Sequence, residues 1–203
     1  MRNQTEPVPT RYVAGNPAIT FCAGLVMTKP GLPIRALGQL AEEALEHAKH
    51  FEDSVATPKS KNAVHCFGQT VGWNAFTELL QGRDELARLA STLKLSTGYL
   101  YGLLHLVDMA EKLRSGLKPQ YDHQIKLPEK NQATPLDVLE NAMWHSRFAY
   151  STRRMLERQK DMDDADRRRW QQEVAAIIAN NGIKKFAGAY RIALFAYLYQ
   201  QRD

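Results

Sequence analysis

Apolar residues run almost unbroken from Ile19 to Met27 (ITFCAGLVM), which predicts a short strand buried on both faces. Gly24 inside that run predicts a bulge or a close approach of another backbone. The stretch Lys29-Pro30-Gly31-Leu32-Pro33 reads as a turn. Beyond it, Ile34, Leu37, Ala41, Ala44, Leu45 and Ala48 recur at helical spacing, with Glu42, Glu43 and Glu46 on the far side. That helix fades near Phe51, a polar loop holds Pro58, and Ala63 to Phe67 (AVHCF) reads as a second strand ended by Gly68. Nothing after Gly72 has a strand pattern.

The rest reads as helices. Trp73, Phe76, Leu79 and Leu80 mark one, which Leu86, Leu89, Ala90 and Leu93 extend. Ser96 is placed to cap the next, whose apolar face holds Leu100, Leu103, Leu104, Val107 and Ala110 and which Gly116 can stop. A polar loop is expected over 117–133. Thr134-Pro135 then predicts the start of a long helix reaching about Lys160. The acidic run Asp161 to Asp166 sits where a helix dipole favours negative charge, ahead of a helix from Arg167 to Ala179 that Asn180-Asn181-Gly182 should end. Phe186 to Tyr199 predicts a closing apolar helix.

The expected organisation is an α+β piece over 1–84 and a helical bundle over 85–203. Charge separates them too. Residues 1–84 carry 8 Lys and Arg against 8 Asp and Glu, whereas 85–203 carry 19 against 14, so the whole net charge of +5 lies in the helical part. A basic half beside a neutral half suggests a polyanionic partner for the former. The composition, 44% apolar and 24% charged, is that of a globular chain with enough apolar residues to fill a core. No apolar run reaches the ~18 residues of a membrane span. The opening MRNQTEPVPTRYV lacks the apolar stretch of a secretory signal. Cys22 and Cys66, in apolar runs, are expected to be a buried, reduced pair, and a cytoplasmic setting is the simplest context. Two strands and one helix are too few for an independent sheet, so further chain is expected to complete the first piece.

That strand–helix–strand piece carries a family resemblance. NPAITFCAGLVMTKPGLPIRALGQLAEEALEHAK followed by KNAVHCFGQTVGW resembles the second palm domain of the large, nucleotide-cyclase-like subunit of type III CRISPR effector complexes. The family pattern has a strand ending in Ser-Ala-Gly, a Pro-containing turn, an AEEALEEAK-like helix and a Lys-Asn run leading into a strand with Phe-Gly. The tail RIALFAYLYQQR is similar to that subunit's closing helix. The likeness is strongest over 16–76, weak in the middle and returns at the end. It implies a partial ferredoxin-like, cyclase-type palm followed by an all-α helical bundle.

The intact subunit of that family polymerises ATP into cyclic oligoadenylates, using divalent metal held by a Gly-Gly-Asp-Asp hairpin. A histidine–aspartate nuclease domain lies further upstream. Neither motif occurs in this chain. Two-metal phosphoryl transfer needs such carboxylates. The expectation is therefore no catalytic residue, no metal ligand and no bound cofactor in this chain alone, with ATP and metal belonging to the complete subunit. Where the family has Ser before Ala-Gly this chain has Cys22, a weaker hydrogen-bonding group.

The resemblance makes Lys49 and Lys61 candidates for contact with a nucleotide's phosphates. As ordinary residues they would instead complement a helix C-terminus and sit solvated in a loop. Arg147, Arg154 and Arg158 fall within roughly 40° of one another on a helix. With Lys184 and Lys185 they are candidates for an RNA backbone or a subunit interface; a merely solvated basic face is the alternative. Asp163-Asp164 reads as helix-terminal charge rather than a metal site. His65 and His105 read as structural histidines, and Asp122-His123 as a loop pair without a second histidine at ligand spacing. Tyr99, Tyr101, Trp144, Phe148, Trp170 and Tyr190 have the spacing of core residues more than of a stacking surface. The implied partners are the other effector subunits, the upstream half of the large subunit, and guide and target RNA, with no membrane. A stand-alone basic helical RNA-binding protein is the rival expectation.

Overall fold

Ala23–Leu25 forms strand β1, Ile34–Lys49 helix α1, Ala63–Cys66 strand β2 and Gln69–Gly72 strand β3. The computed structural model describes residues 20–51, 62–116, 140–159 and 162–201. It divides into two compact units, Met1–Gln81 and Gly82–Asp203. In the first, β1 pairs parallel with β2, matching Ala23 to Val64 and Leu25 to Cys66, and β2 pairs antiparallel with β3, Ala63 opposite Gly72 and Cys66 opposite Gln69. The hairpin turns on Phe67 and Gly68, whose φ angles of 50° and 72° give the twist that a two-residue turn requires.

Helix α1 lies against β1 and β2. It does so closely because Gly24 has no side chain: a Cβ there would fall 2.5 Å from the Leu45 nitrogen and 2.7 Å from the Ala44 carbonyl carbon. Of the two outcomes expected of Gly24, close approach is the one observed. Ala44, Ala48, Ala63, Val64, Cys66 and Val71 form this unit's small core. The Cys22 thiol donates to the Ala48 carbonyl oxygen at 3.4 Å, and the Trp73 indole N–H donates to the Phe21 carbonyl oxygen at 2.9 Å.

Three expectations need correction here. The sheet has three strands rather than two, because the mostly polar Gln69–Gly72 pairs with β2. The first strand is only three residues long and is not buried on both faces, since Leu25 is 50% exposed. Both cysteines are free, but only Cys66 is buried; Cys22 is half-buried.

Helix α2, Trp73–Leu93, is one continuous helix that passes the division between the units at Gln81 and Gly82. It buries Leu79, Leu86, Leu89, Ala90 and Leu93. Its end is well defined: Lys94 turns left-handed (φ 47°) and the Leu95 N–H reaches back to the Ala90 carbonyl oxygen, a Schellman stop. Ser96 then caps α3, Thr97–Gly116, its hydroxyl oxygen accepting from the Tyr99 N–H at 3.2 Å. Helix α4, Trp144–Glu157, buries Trp144, Phe148, Thr152 and Leu156, a strict four-residue repeat. It begins after a turn at Met143, so the long helix expected from Thr134 is not continuous there; 134–139 lie outside the described residues. Asp163 caps α5, Asp164–Val174, accepting from the Asp166 N–H at 2.7 Å.

Asn180-Asn181-Gly182 does not end a helix as expected. The chain winds on as a π-helical segment, Ala175–Lys184, followed by a 3₁₀ turn, Ala187–Tyr190, and helix α6, Arg191–Gln200. The reason is tertiary. Gly182 is buried within this segment and lies so close to the Tyr190 ring that a Cβ would fall 2.6 Å from it, so the glycine serves packing rather than a helix stop. Helix α3 packs against α4, the π segment, the 3₁₀ turn and α6. An ion pair joins Asp108 to Arg191, and the Glu111 carboxylate accepts from the Gly188 N–H at 2.9 Å. No helix among the described residues is long and apolar enough to cross a membrane.

Candidate nucleic-acid interface

Helix α4 carries arginines on two sides, and its neighbours treat them differently. Toward α5, Arg153, Arg167 and Arg168 share a groove with Glu157 and Asp164. There Arg153 pairs with Glu157 at 2.8 Å and Arg167 with Asp164 at 2.9 Å. On that side two of the three arginines are paired with carboxylates.

Toward α3 the picture differs. An open groove of about 490 Å³ is lined by Lys94, Ser96, Gly98, Tyr99, Tyr150, Ser151, Arg154, Met155, Arg158 and Gln159. It holds three cations, Lys94, Arg154 and Arg158, and no carboxylate among its described residues. All three side chains are exposed. Unscreened by a built-in counter-charge, they present a positive field that an anion can satisfy.

The groove's floor is fixed from both sides. The Tyr99 hydroxyl is hydrogen-bonded to the Thr152 hydroxyl at 2.8 Å, tying the start of α3 to the middle of α4. Burial pushes the Tyr99 phenol up to about 12, so it stays protonated at neutral pH. The Gln159 side-chain amide donates to the Leu93 carbonyl oxygen, which ties the end of α4 to the end of α2. The left-handed turn at Lys94 then sets its side chain on the rim. Tyr150, also on the rim, is 65% exposed.

The structure separates the arginines that helical spacing had grouped. Arg154 and Arg158 line the groove, but Arg147 does not. Its guanidinium donates to the Met109 sulfur at 3.6 Å and lies 3.5 Å from Glu140. Lys184 and Lys185 are both exposed at the end of the π segment, away from the lining of this groove. Lys185 lies over the Phe186 ring, 5.1 Å from its centre. Lys184 repels positive charge on His145, which adds to burial in lowering the imidazole's pKa.

In the first unit, Lys49 is exposed on the last turn of α1 with its ammonium 2.7 Å from Glu46. That hydrogen bond raises the lysine's pKa, and the groove beside it is lined by Glu42, Glu43, Glu46, His47 and His50. Lys61 lies outside the described residues, as does Asp122-His123. No group of three His, Cys, Asp or Glu among the described residues is arranged to hold a metal ion. His65 is held by Thr70 at 2.7 Å and stacks on His47, whereas His105 is exposed, contrary to a structural role.

Two groove residues, Lys94 and Tyr150, have no warning in the sequence. Lys94 falls between two helices, where only the left-handed stop explains its direction. Tyr150 lies midway between the buried Phe148 and Thr152, on the side of α4 away from its buried face, so helical phase was its only available signal. Of the aromatics expected in the core, Trp144, Phe148 and Tyr190 are buried there, while Tyr101 is 47% exposed. Comparison with protein-family models, curated proteins and solved structures found no match to this chain.

Proposed function

We propose that this chain is the C-terminal portion of the large, cyclase-like subunit of a type III CRISPR effector, acting in RNA-guided antiviral defence. Residues 1–84 complete a nucleotidyl-cyclase-like palm, and residues 85–203 dock on neighbouring subunits beside the guide–target RNA duplex. Cyclic oligoadenylate synthesis then depends on the Gly-Gly-Asp-Asp half, which brings ATP and divalent metal.

The observation that carries this reading is the outer edge of β1. The strand order is β1-β2-β3, so β1 is an edge, and no strand among the described residues pairs with its free side. Of the nine large apolar side chains exposed among the described residues, six lie between Phe21 and Leu40: Phe21, Leu25, Met27, Leu32, Ile34 and Leu40. An open strand edge beside uncovered apolar side chains is what a sheet presents when another segment completes it. The resemblance of strand, turn, helix and Lys-Asn strand to the palm pattern supports an upstream palm segment as that partner. The cations of the α3–α4 groove, with no carboxylate among its described lining residues, support an RNA-proximal position for the second unit.

Co-expression with an upstream Gly-Gly-Asp-Asp half is the test. Stable association and metal-dependent adenylate oligomers are expected only with both halves together. Two well-expressed halves that never associate would sink the reading. The rival, a stand-alone basic RNA-binding protein, is favoured by the self-contained packing of α3, α4, the π segment and α6. It requires Leu25 and Ile34 to tolerate replacement by Asp without loss of any binding partner.

A further inference from the structure

From the α3–α4 groove we infer a binding site for an unpaired stretch of RNA: phosphates lie on Lys94, Arg154 and Arg158, and one base stacks on Tyr150. The inference rests on the nucleic-acid part of the function proposed above and does not require completion of the palm.

Three features of the groove select this ligand. Its charge is all of one sign among the described residues, three exposed cations and no acid, beside a groove on the other flank of α4 where Glu157 and Asp164 pair with two of the three arginines. An anionic ligand therefore gains most on the α3 side. The cations are spread along the chain, Lys94 after α2, Arg154 on α4 and Arg158 four residues on, just past the end of α4. Spread charges suit a chain of phosphates better than a single small anion. Tyr150 presents an aromatic face, 65% exposed, on the same rim. Stacking on such a face needs a base that is not inside a duplex, and sequence-tolerant binding of single strands combines aromatic platforms with a positive groove in this way. Ser96 and Ser151 add hydroxyls along the lining, although the Ser96 oxygen already accepts from Tyr99 and the Ser151 hydroxyl already donates to the Phe148 carbonyl oxygen. The floor is held by the Tyr99–Thr152 and Gln159–Leu93 hydrogen bonds, so the rim residues are mounted on a fixed base.

Gly98 offers a way to close the site without disturbing the fold. A Cβ built there meets nothing within 4 Å, and the residue lies in the first turn of α3. An acidic side chain suits a helix's first turn. Gly98→Glu therefore inserts a negative charge into the groove while leaving the helix intact.

The experiment measures binding of fluorescein-labelled oligouridylate to the full chain by anisotropy across a salt series. The variants are Gly98→Glu, the triple Lys94→Ala/Arg154→Ala/Arg158→Ala, Tyr150→Ala and Tyr150→Phe, with Arg168→Ala/Arg169→Ala as the control for general basic charge. The triple variant is expected to lower the slope of log K against log salt by roughly 2, since single strands lose about 0.7 per phosphate contact. Tyr150→Ala is expected to weaken binding about tenfold or more, with Tyr150→Phe close to wild type. Gly98→Glu should weaken binding with a melting temperature equal to or above wild type, and a duplex of the same length should compete poorly. Binding that survives Gly98→Glu and the triple variant, falls equally with the Arg168/Arg169 control, or prefers duplex overturns the site while leaving an RNA-binding protein. Absence of any oligouridylate binding at low salt removes both the site and the RNA part of the proposed function.

Discussion

Replacing Gly24 by Ala tests how the first unit is built. The new methyl group would sit 2.5 Å from the Leu45 nitrogen, 2.7 Å from the Ala44 carbonyl carbon and 2.9 Å from the Leu45 α-carbon. All three atoms are helix backbone, so no rotamer change relieves the contact. Either β1 or α1 must retreat by about an ångström to restore van der Waals spacing, which pulls Cys22 away from the Ala48 carbonyl and opens the packing around Ala44 and Ala48. Overpacking of this kind costs roughly 1–3 kcal/mol, and the upper end applies because rigid backbone is struck. Native-state hydrogen exchange of the β2 amides, Ala63–Cys66, reads the change. About 3 kcal/mol corresponds to roughly a hundredfold faster opening. The control is Gly38→Ala, also in the α1 region but with nothing within 4 Å of its Cβ position. Removing a helix-interior glycine there should stabilise by about 0.5–1 kcal/mol. If Gly24→Ala leaves exchange at β2 unchanged, the strand does not lean on the helix backbone and the account of the unit's packing fails.

Four further predictions concern other parts of the fold. Gly182→Ala would drive a methyl group into the Tyr190 ring and should lower the melting temperature, at a cost of about 2–3 kcal/mol. The Tyr190 hydroxyl is buried without a hydrogen-bond partner among the described residues, so Tyr190→Phe should raise stability by about 1 kcal/mol in urea unfolding; a loss would disprove that. Glu111→Ala removes the carboxylate that accepts from the Gly188 N–H and should cost about 1.5–3 kcal/mol, the range for a hydrogen bond to a charged group; Glu111→Gln should recover part of it in thermal melts. Burial, helped by His47, lowers the pKa of His65, so the folded unit holds fewer protons there than the unfolded chain. Its contribution to stability is complete above the ordinary histidine pKa of about 6.5 and is lost as pH falls through the lowered value. His65→Asn should flatten that acid-side loss in a pH series of melts.

Local signals were the legible part of the chain. Ser96 was readable as a helix cap, because a short polar side chain ahead of an apolar period has few other uses, and it accepts the Tyr99 N–H. Asp163 was legible only as helix-terminal charge; it is the cap itself, because the helix starts at Asp164, three residues before the expected Arg167. The period of α1 was readable as well, yet its burial was not. Only Ala44 and Ala48 on the expected face are buried, while Ile34 is 82% exposed. Periodicity reports which face is apolar and is silent on what covers it. β3 escaped notice because three of its four residues, Gln69, Thr70 and Gly72, are not strongly apolar. The two-residue Phe67-Gly68 turn was the signal to follow.

The groove shows a deeper limit of helical spacing. The 100° rule places Arg147, Arg154 and Arg158 on one side of α4, but their surroundings are set by residues far away in sequence. Glu140 and Met109 engage Arg147; the end of α2 and the start of α3 leave Arg154 and Arg158 facing a wall without acids among the described residues. The sign of the field at each arginine is thus a tertiary property. The left-handed stop at Lys94 ends α2 and lets α3 begin after only three residues, and Tyr99 near that start reaches Thr152 of α4. Replacing Lys94 by Gly keeps that turn and removes only the charge, whereas a β-branched residue such as Val strains the turn itself. Lys94→Gly should therefore leave melting unchanged and weaken oligouridylate binding, while Lys94→Val should lower both. Equal melting temperatures for the two variants would mean that the turn does not hold the groove together.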